Sequence, residues 1–79
     1  MIQKWNFKKK KYEPYEIPED WYTPLVMFDM KRQVNCASCG KLIEFGDCYT
    51  SRQIHSDWGM GYSVCPECHK REIQEEMDV

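Results

Sequence analysis

Two Cys-x-x-Cys pairs constrain the fold of this chain more than any other feature. The pairs read CASC at residues 36–39 and CPEC at residues 65–68, and they use four of the five cysteines in 79 residues. A chain this short can bury only a small core, so such domains commonly depend on a disulfide, a metal ion or a partner. We therefore expect the two pairs to supply that extra stabilisation.

The cellular compartment implied by the sequence favours a metal ion over disulfides. The start of the chain, MIQKWNFKKKK, is positively charged, but neither the apolar stretch of a signal peptide nor a membrane-spanning apolar run occurs in the sequence. These features predict a soluble, cytoplasmic protein, in which thiols stay reduced. Five cysteines also fit a two-disulfide framework poorly, and no βαβ pattern surrounds either pair as a thioredoxin-like redox site would require.

The spacing within each pair predicts a zinc site. Two residues between the thiols let both sulfur atoms reach one ion at about 2.3 Å, and two such pairs complete a tetrahedron. We expect one structural Zn²⁺ in this site. Its predicted ligands are Cys36, Cys39, Cys65 and Cys68.

Three further residues could compete for the metal. His55 and His69 could each replace a cysteine, although four paired thiols already fill a tetrahedral shell. Cys48 lies outside the pairs, and we expect it to be a small, buried apolar residue rather than a ligand or a reactive thiol.

Local signals around the pairs predict the structure that holds them. Gly40 directly follows the second thiol, which favours a tight turn whose backbone N–H groups point at sulfur. Residues 48–56 and 62–64 suit strands, with a turn at residues 57–61 between them, so a β-hairpin is expected.

A helix is predicted to begin at the second pair. Pro66 suits the first helical position, which would place Cys65 at the cap and Cys68 in the first turn. Downstream, three residues recur at i, i+4 and i+8 and would share one face of the helix. They are His69, Ile73 and Met77.

This order of elements resembles the treble-clef zinc fingers over residues 35–77. The resemblance implies a small, zinc-stabilised α+β domain, in which a zinc knuckle and a β-hairpin are followed by a C-terminal helix. The 25 residues between the pairs exceed the usual 15–20, which a longer hairpin would absorb. The small size and the lone zinc module are also similar to those of bacterial and phage accessory proteins. This general similarity does not identify a binding partner.

Composition divides the chain into two segments. Residues 1–30 are rich in proline and aromatic side chains, and we expect an extended arm that packs on the module or on a partner. Residues 31–79 form the four-cysteine zinc module. Charge follows this division, because residues 1–12 hold five lysines and no acid, whereas residues 13–30 hold five acids and no base.

The predicted metal site argues against an enzyme. Four thiolates leave no open position at which a metal could activate water, so we expect a structural ion and no catalytic residues. Some nucleases are built on treble-clef folds, and their chemistry needs a histidine base on a strand. His55 is the nearest candidate here, and we expect it to be an ordinary solvent-facing strand residue.

The aromatic residues favour a protein-interaction module. Seven of the eleven precede residue 29, too many for a freely disordered tail. They must pack either on a protein partner, on a second copy, or on the module's own apolar side chains. Those side chains are Leu42, Ile43, Phe45, Trp58 and Met60.

Nucleic-acid binding is the alternative function. Lys8–Lys11, flanked by Trp5, Phe7 and Tyr12, combines charge for phosphate with rings that can stack on bases. Against it stand the acidic pI of about 5.6 and the five acids that follow Tyr12. We therefore place a protein partner first and expect no membrane association.

Overall fold

The computed structural model describes residues 2–78 as a small α+β fold with two antiparallel sheets and one C-terminal helix. The expected α+β class, with a hairpin, a C-terminal helix and a cysteine cluster, is confirmed. No helix in this part of the chain is long and apolar enough to cross a membrane. The strands are β1 (Ile2–Asn6), β2 (Lys11–Pro14), β3 (Gln33–Asn35), β4 (Leu42–Glu44), β5 (Tyr49–Ser56) and β6 (Gly61–Val64).

The larger sheet joins the start of the chain to the cysteine region. Its strand order is β2-β1-β5-β6, and all neighbouring pairs are antiparallel. β1 pairs with β5 through Ile2 opposite Ser56 and Lys4 opposite Ile54. Residues 2–14 are therefore joined to the hairpin through backbone pairing, while residues 15–32 cross the surface without regular structure.

The hairpin predicted between the two cysteine pairs is present as β5 and β6. A turn that contains Gly59, with φ of +91°, connects the two strands. The pairing of β5 with β6 shifts register between Thr50 and His55. Within this irregular section, the Ser51 hydroxyl accepts hydrogen bonds from the backbone N–H groups of Gln53 and Ile54.

The smaller sheet frames the first cysteine pair. β3 and β4 pair through Val34 opposite Ile43, and the chain between them contains Cys36 and Cys39. A short 3-10 helix, Phe45–Asp47, then leads into β5.

The helix α1 (Pro66–Met77) begins where the sequence predicts, with Cys65 as its N-cap and Pro66 in its first turn. It buries Cys68 and Glu72, which are 5% and 1% exposed. The face marked by Ile73 and Met77 is instead 38% and 78% exposed. The helix packs on β5 through the buried Glu72 carboxylate, so the apolar residues Ile73 and Met77 do not form its packing face.

The hydrophobic core is small and depends on cysteine. Three of the seven hydrophobic residues that are buried within residues 2–78 are cysteines from the two pairs. None of these seven side chains is aromatic, and a core this small commonly needs a metal, a disulfide or a partner for stability. The seven residues are Val34, Cys36, Ala37, Ile54, Val64, Cys65 and Cys68.

The aromatic segment does not cover all the apolar side chains expected of it. Leu42 and Trp58 stay 58% and 71% exposed. Tyr15 instead packs on the core cluster, and Trp21 lies against Gly40. Tyr15 and Trp21, both partly buried, thus support the cysteine region rather than the hairpin tip.

Candidate metal centre

The two cysteine pairs meet at one point in the structure. The sulfur atoms of the four residues all lie within 4.8 Å of one another, and Cys39 Sγ and Cys65 Sγ are 3.7 Å apart. A regular tetrahedron with metal–sulfur bonds of about 2.3 Å needs sulfur atoms about 3.8 Å apart. The cluster is therefore of a size that can hold one metal ion. It consists of Cys36, Cys39, Cys65 and Cys68.

The first pair lies in a tight turn that matches the predicted knuckle. Gly40 adopts a φ of +82°, and its N–H donates to the Cys36 carbonyl at 2.9 Å. The N–H groups of Ser38 and Cys39 point at Cys36 Sγ, at 3.3 and 3.4 Å. The turn therefore directs positive dipoles at a sulfur, which stabilises a thiolate.

Close packing explains why glycine is needed after the second thiol. A Cβ on Gly40 would lie 2.4 Å from the Trp21 ring. The positive φ also disfavours any L side chain. The sequence predicts the turn itself, whereas the contact with Trp21 joins residues far apart in the chain and has no local sequence signal.

The second pair uses the start of a helix. Cys65 caps α1, and the His69 N–H donates to its carbonyl at 3.0 Å. Cys68 follows in the first turn, close to the unpaired N–H groups at the helix N-terminus. These groups and the helix dipole favour negatively charged sulfur at this end.

Three polar contacts hold the two halves of the cluster together. The Ala37 N–H donates to the Ser63 carbonyl at 2.8 Å, which ties the turn of the first pair to β6. Arg71 donates to the Ser38 hydroxyl at 2.7 Å. Lys41 forms an ion pair of 3.2 Å with Glu67. The geometry of the four sulfurs thus rests on the protein as well as on any ion between them.

Burial and hydrogen bonding act in opposite directions on the cysteine thiols. For Cys36, burial raises the pKa, but the backbone N–H groups around its sulfur outweigh burial, so the pKa lies below its ordinary value. Burial raises the pKa values of Cys65 and Cys68 above their ordinary range. A cation among the four sulfurs would offset this penalty, because it stabilises the thiolate forms.

Tyr15 supports the cluster from the N-terminal segment. Its hydroxyl donates to the Ala37 carbonyl at 2.7 Å, between the two cysteines of the first pair. Burial raises the Tyr15 pKa, and the nearby Cys36 and Cys68 raise it further. In the sequence, Tyr15 is only one of many aromatic residues. No neighbouring residue indicates that its side chain contacts the turn of the first cysteine pair.

Access to the cluster is one-sided. Cys36, Cys65 and Cys68 are buried, whereas Cys39 is exposed. Solvent therefore reaches the cluster at Cys39.

The other candidate ligands lie outside the cluster. Cys48 is half-buried just before β5, and its thiol donates to the Phe45 carbonyl at 2.9 Å. The His69 ring stacks on Tyr49 at 4.5 Å. His55 is half-buried on β5, where its ring contacts Tyr12 at 5.8 Å and its buried Nδ1 has no hydrogen-bond partner within residues 2–78.

No family model, curated protein or solved structure matches this chain.

Proposed function

We propose that the protein is a non-catalytic binding module stabilised by one structural Zn²⁺. The observation that carries this proposal is the mutual approach of four sulfurs within 4.8 Å. Four thiolates close enough to share one ion suit zinc, which prefers sulfur and nitrogen ligands in closed structural sites. The four ligands come from two elements, the turn of the first pair and the start of α1. Binding an ion would join these two elements.

The arrangement around the cluster supports a treble-clef-like module. The first pair lies in a turn, β5 and β6 follow, and α1 carries the second pair. β5 extends over eight residues, which accounts for the long spacing between the pairs. We infer that the module uses zinc for folding, as other closed four-cysteine sites do.

The same geometry supports a non-enzymatic role. Four protein ligands would leave no position on the ion for a substrate or an activated water. His55, the candidate base, contacts Tyr12 and is not among the residues of the cluster. We expect the zinc-loaded protein to show no metal-dependent nuclease or hydrolase activity, and His55→Ala to leave zinc content unchanged.

We further propose a protein partner that binds the apolar loop, defined here as Val26, Phe28 and Met30. These side chains are 61%, 98% and 56% exposed. The loop is nevertheless fixed at both ends, since the Ser63 hydroxyl donates to the Pro24 carbonyl at 2.9 Å and the Gly46 N–H donates to the Met30 carbonyl at 2.8 Å. Exposed apolar side chains grouped on a loop that is held at both ends are typical of a protein-interaction surface.

The binding proposal is tested by comparing wild type with Phe28→Ser. Affinity capture from the native host detects a separate protein partner, and sedimentation of the purified protein detects a dimer. We expect Phe28→Ser to lose the captured protein or the dimer and to keep its zinc. Leu42→Ser is the matched control, because Leu42 is an exposed apolar residue outside this loop. Equal binding by wild type and Phe28→Ser would contradict the proposal.

A further inference from the structure

A row of aromatic rings crosses the outer face of the larger sheet. Trp5 and Tyr12 are directly paired on β1 and β2, with ring centroids 4.9 Å apart. Tyr12 in turn contacts the His55 ring at 5.8 Å. We call Trp5, Tyr12 and His55 the aromatic row.

The aromatic row lies on the face of the sheet opposite the core. Ile54 is fully buried in the core cluster, and its partner across the β1–β5 pairing is Lys4. Successive side chains of a strand point to opposite faces, so His55 and Trp5 point away from Ile54 and Lys4. Tyr12 remains 43% exposed. The row is thus available to a ligand that approaches the sheet from solvent.

The row lines an open groove that also contains positive charge. The groove has a volume of about 740 Å³, and its lining includes the aromatic row together with Phe7, Lys10, Arg52 and Glu76. Glu76 neutralises Arg52 through an ion pair. The main positive charge left in this groove is therefore that of Lys10, which lies between β1 and β2. Rings beside a cation are the combination by which proteins hold single strands of nucleic acid.

The four lysines form an ordered turn rather than a free tail. We call residues 8–11 the lysine turn. The Asn6 side-chain oxygen accepts hydrogen bonds from the N–H groups of Lys8 and Lys9, both at 3.0 Å, and the Asn6 carbonyl accepts one from Lys10 at 2.7 Å. All four lysines are exposed. Their charges are therefore fixed at one end of the aromatic row.

Lys10 occupies a backbone position that ordinarily favours glycine. Its φ is +54°, and it is the one residue other than glycine with positive φ within the described part of the chain. Such a conformation disfavours a long side chain, and unfavourable backbone conformations concentrate at functional sites. A lysine at this position adds a charge to the turn at some expense of stability.

The structure separates most of the acidic residues of the N-terminal segment from this charge. Glu13 pairs with Lys9 at 3.8 Å. Glu16, Glu19 and Asp20 follow the far end of β2, whose four residues extend about 13 Å from the turn. That distance exceeds the screening length of about 8 Å at physiological salt. Glu75 and Asp78 line a neighbouring cleft with Lys8, and this cleft shares Trp5 and Phe7 with the groove.

We propose that the aromatic row and the lysine turn bind a single strand of nucleic acid. The lysines contact phosphates, and a base stacks on the exposed Tyr12 ring, which Trp5 and His55 hold by edge-to-face contacts with interplanar angles of 68° and 85°. This site is separate from the apolar loop, so it adds a second function to the zinc module proposed above. A duplex should bind more weakly, because its bases are already stacked on one another and cannot reach the rings.

The test is a fluorescence anisotropy titration of the zinc-loaded full chain. The probes are single-stranded DNA and RNA of about 12 nucleotides, and a duplex of the same sequence. We expect Tyr12→Ser to weaken single-strand binding by roughly tenfold or more, and Tyr12→Phe to retain it. Weakening that is the same for Tyr12→Phe and Tyr12→Ser would overturn the stacking role.

Charge is tested with two matched double variants. Lys10→Gln with Lys11→Gln should reduce the slope of log affinity against log salt by about 1.4, since each phosphate contact contributes about 0.7 for single strands. Lys31→Gln with Lys70→Gln changes net charge equally at other exposed positions and should leave the slope unchanged. Equal effects from both pairs would show only nonspecific attraction and would overturn the site.

Zinc content and circular dichroism are measured for every variant, so loss of the metal is distinguishable from loss of nucleic-acid binding. A wild-type protein that carries zinc but fails to bind any single strand at about 50 mM salt would contradict this inference and leave the zinc proposal intact.

Discussion

The Glu72 carboxylate accepts a hydrogen bond of 2.7 Å from the Ser51 hydroxyl, and this contact joins α1 to the irregular section of β5. The second carboxylate oxygen accepts the Arg52 N–H at 2.8 Å. The same Ser51 oxygen accepts two backbone N–H groups of β5. Glu72 thus substitutes for hydrogen bonds that β5 loses where its pairing with β6 shifts, and it fixes the helix that carries Cys68.

Removing this carboxylate should destabilise the fold strongly. Glu72 is 1% exposed, and Glu72→Ala leaves the Arg52 N–H and the Ser51 hydroxyl without their acceptor. We expect a loss of about 2–4 kcal/mol in the free energy of unfolding, measured by urea denaturation of the zinc-loaded protein. Glu75→Ala is the matched control, because it removes an exposed glutamate from the same helix. This variant should change stability by less than about 0.5 kcal/mol. Similar values for the two variants would contradict this account.

Two glycines with positive φ allow backbone strain to be separated from steric conflict. At Gly59 a Cβ would meet nothing within 4 Å, so Gly59→Ala should lose only about 1 kcal/mol of stability from its φ of +91°. At Gly40 a Cβ would also collide with the Trp21 ring. Gly40→Ala should therefore be clearly more destabilising in the same urea experiment.

A double variant provides the control for Gly40. In a background of Trp21→Ala, the collision disappears and only the cost of the positive φ should remain. If Gly40→Ala costs the same with and without Trp21, the ring contact does not restrict this position.

The ion pair between Arg52 and Glu76 gives a testable pH dependence. Hydrogen bonding to Arg52 lowers the Glu76 pKa below its ordinary value. The stabilisation from this pair is therefore fully present above the ordinary glutamate pKa, and it is lost as pH falls through the lowered pKa of the folded state. An NMR titration of the side-chain carboxyl should show the lowered value, and Arg52→Gln should return it towards normal.

Glu67 serves as the internal control for this titration. Its pKa is also lowered, by hydrogen bonding to Lys41. Arg52→Gln should leave the Glu67 titration unchanged. A shift of both carboxyls on removing Arg52 would indicate a general change in structure rather than the loss of one pair.

Local sequence signals predicted the elements around the cysteines well. Gly40 after a thiol, strand-forming residues at 48–56 and Pro66 after Cys65 each specify their structure through nearby backbone geometry. The turn, the hairpin and the helix accordingly occur where they were expected. These signals act over a few residues, so they require no knowledge of the tertiary structure.

Contacts between distant segments were not predictable in the same way. The pairing of β1 with β5 joins residues about fifty positions apart, and the contact of Trp21 with Gly40 depends on the path of an irregular segment. The packing face of α1 is another example, because Ile73 is apolar and Glu72 is charged, yet the structure buries Glu72 against hydrogen-bond donors of β5. A single sequence contains no signal for such donors.

The role of the fifth cysteine can be separated from that of the pairs. Cys48→Ser should retain the metal, because the Cys48 thiol donates to the Phe45 carbonyl and lies outside the cluster. Cys68→Ser should lose the metal and unfold residues 35–77, as structural zinc supplies about 10–16 kcal/mol of apparent folding free energy in small sites. Circular dichroism with elemental analysis tests both. Metal lost from Cys48→Ser but kept by Cys68→Ser would contradict the assignment of the ligands.

The most direct test of the central claim is elemental analysis of the purified wild-type chain, combined with native mass spectrometry. The account predicts one zinc ion per chain, with four protons lost from the cysteines of the two pairs on binding. Removal of the ion by a chelator should unfold the cysteine region, and added zinc should restore it. A chain that folds fully without metal, or that fails to take up zinc under reducing conditions, would contradict the proposal that zinc holds this fold together.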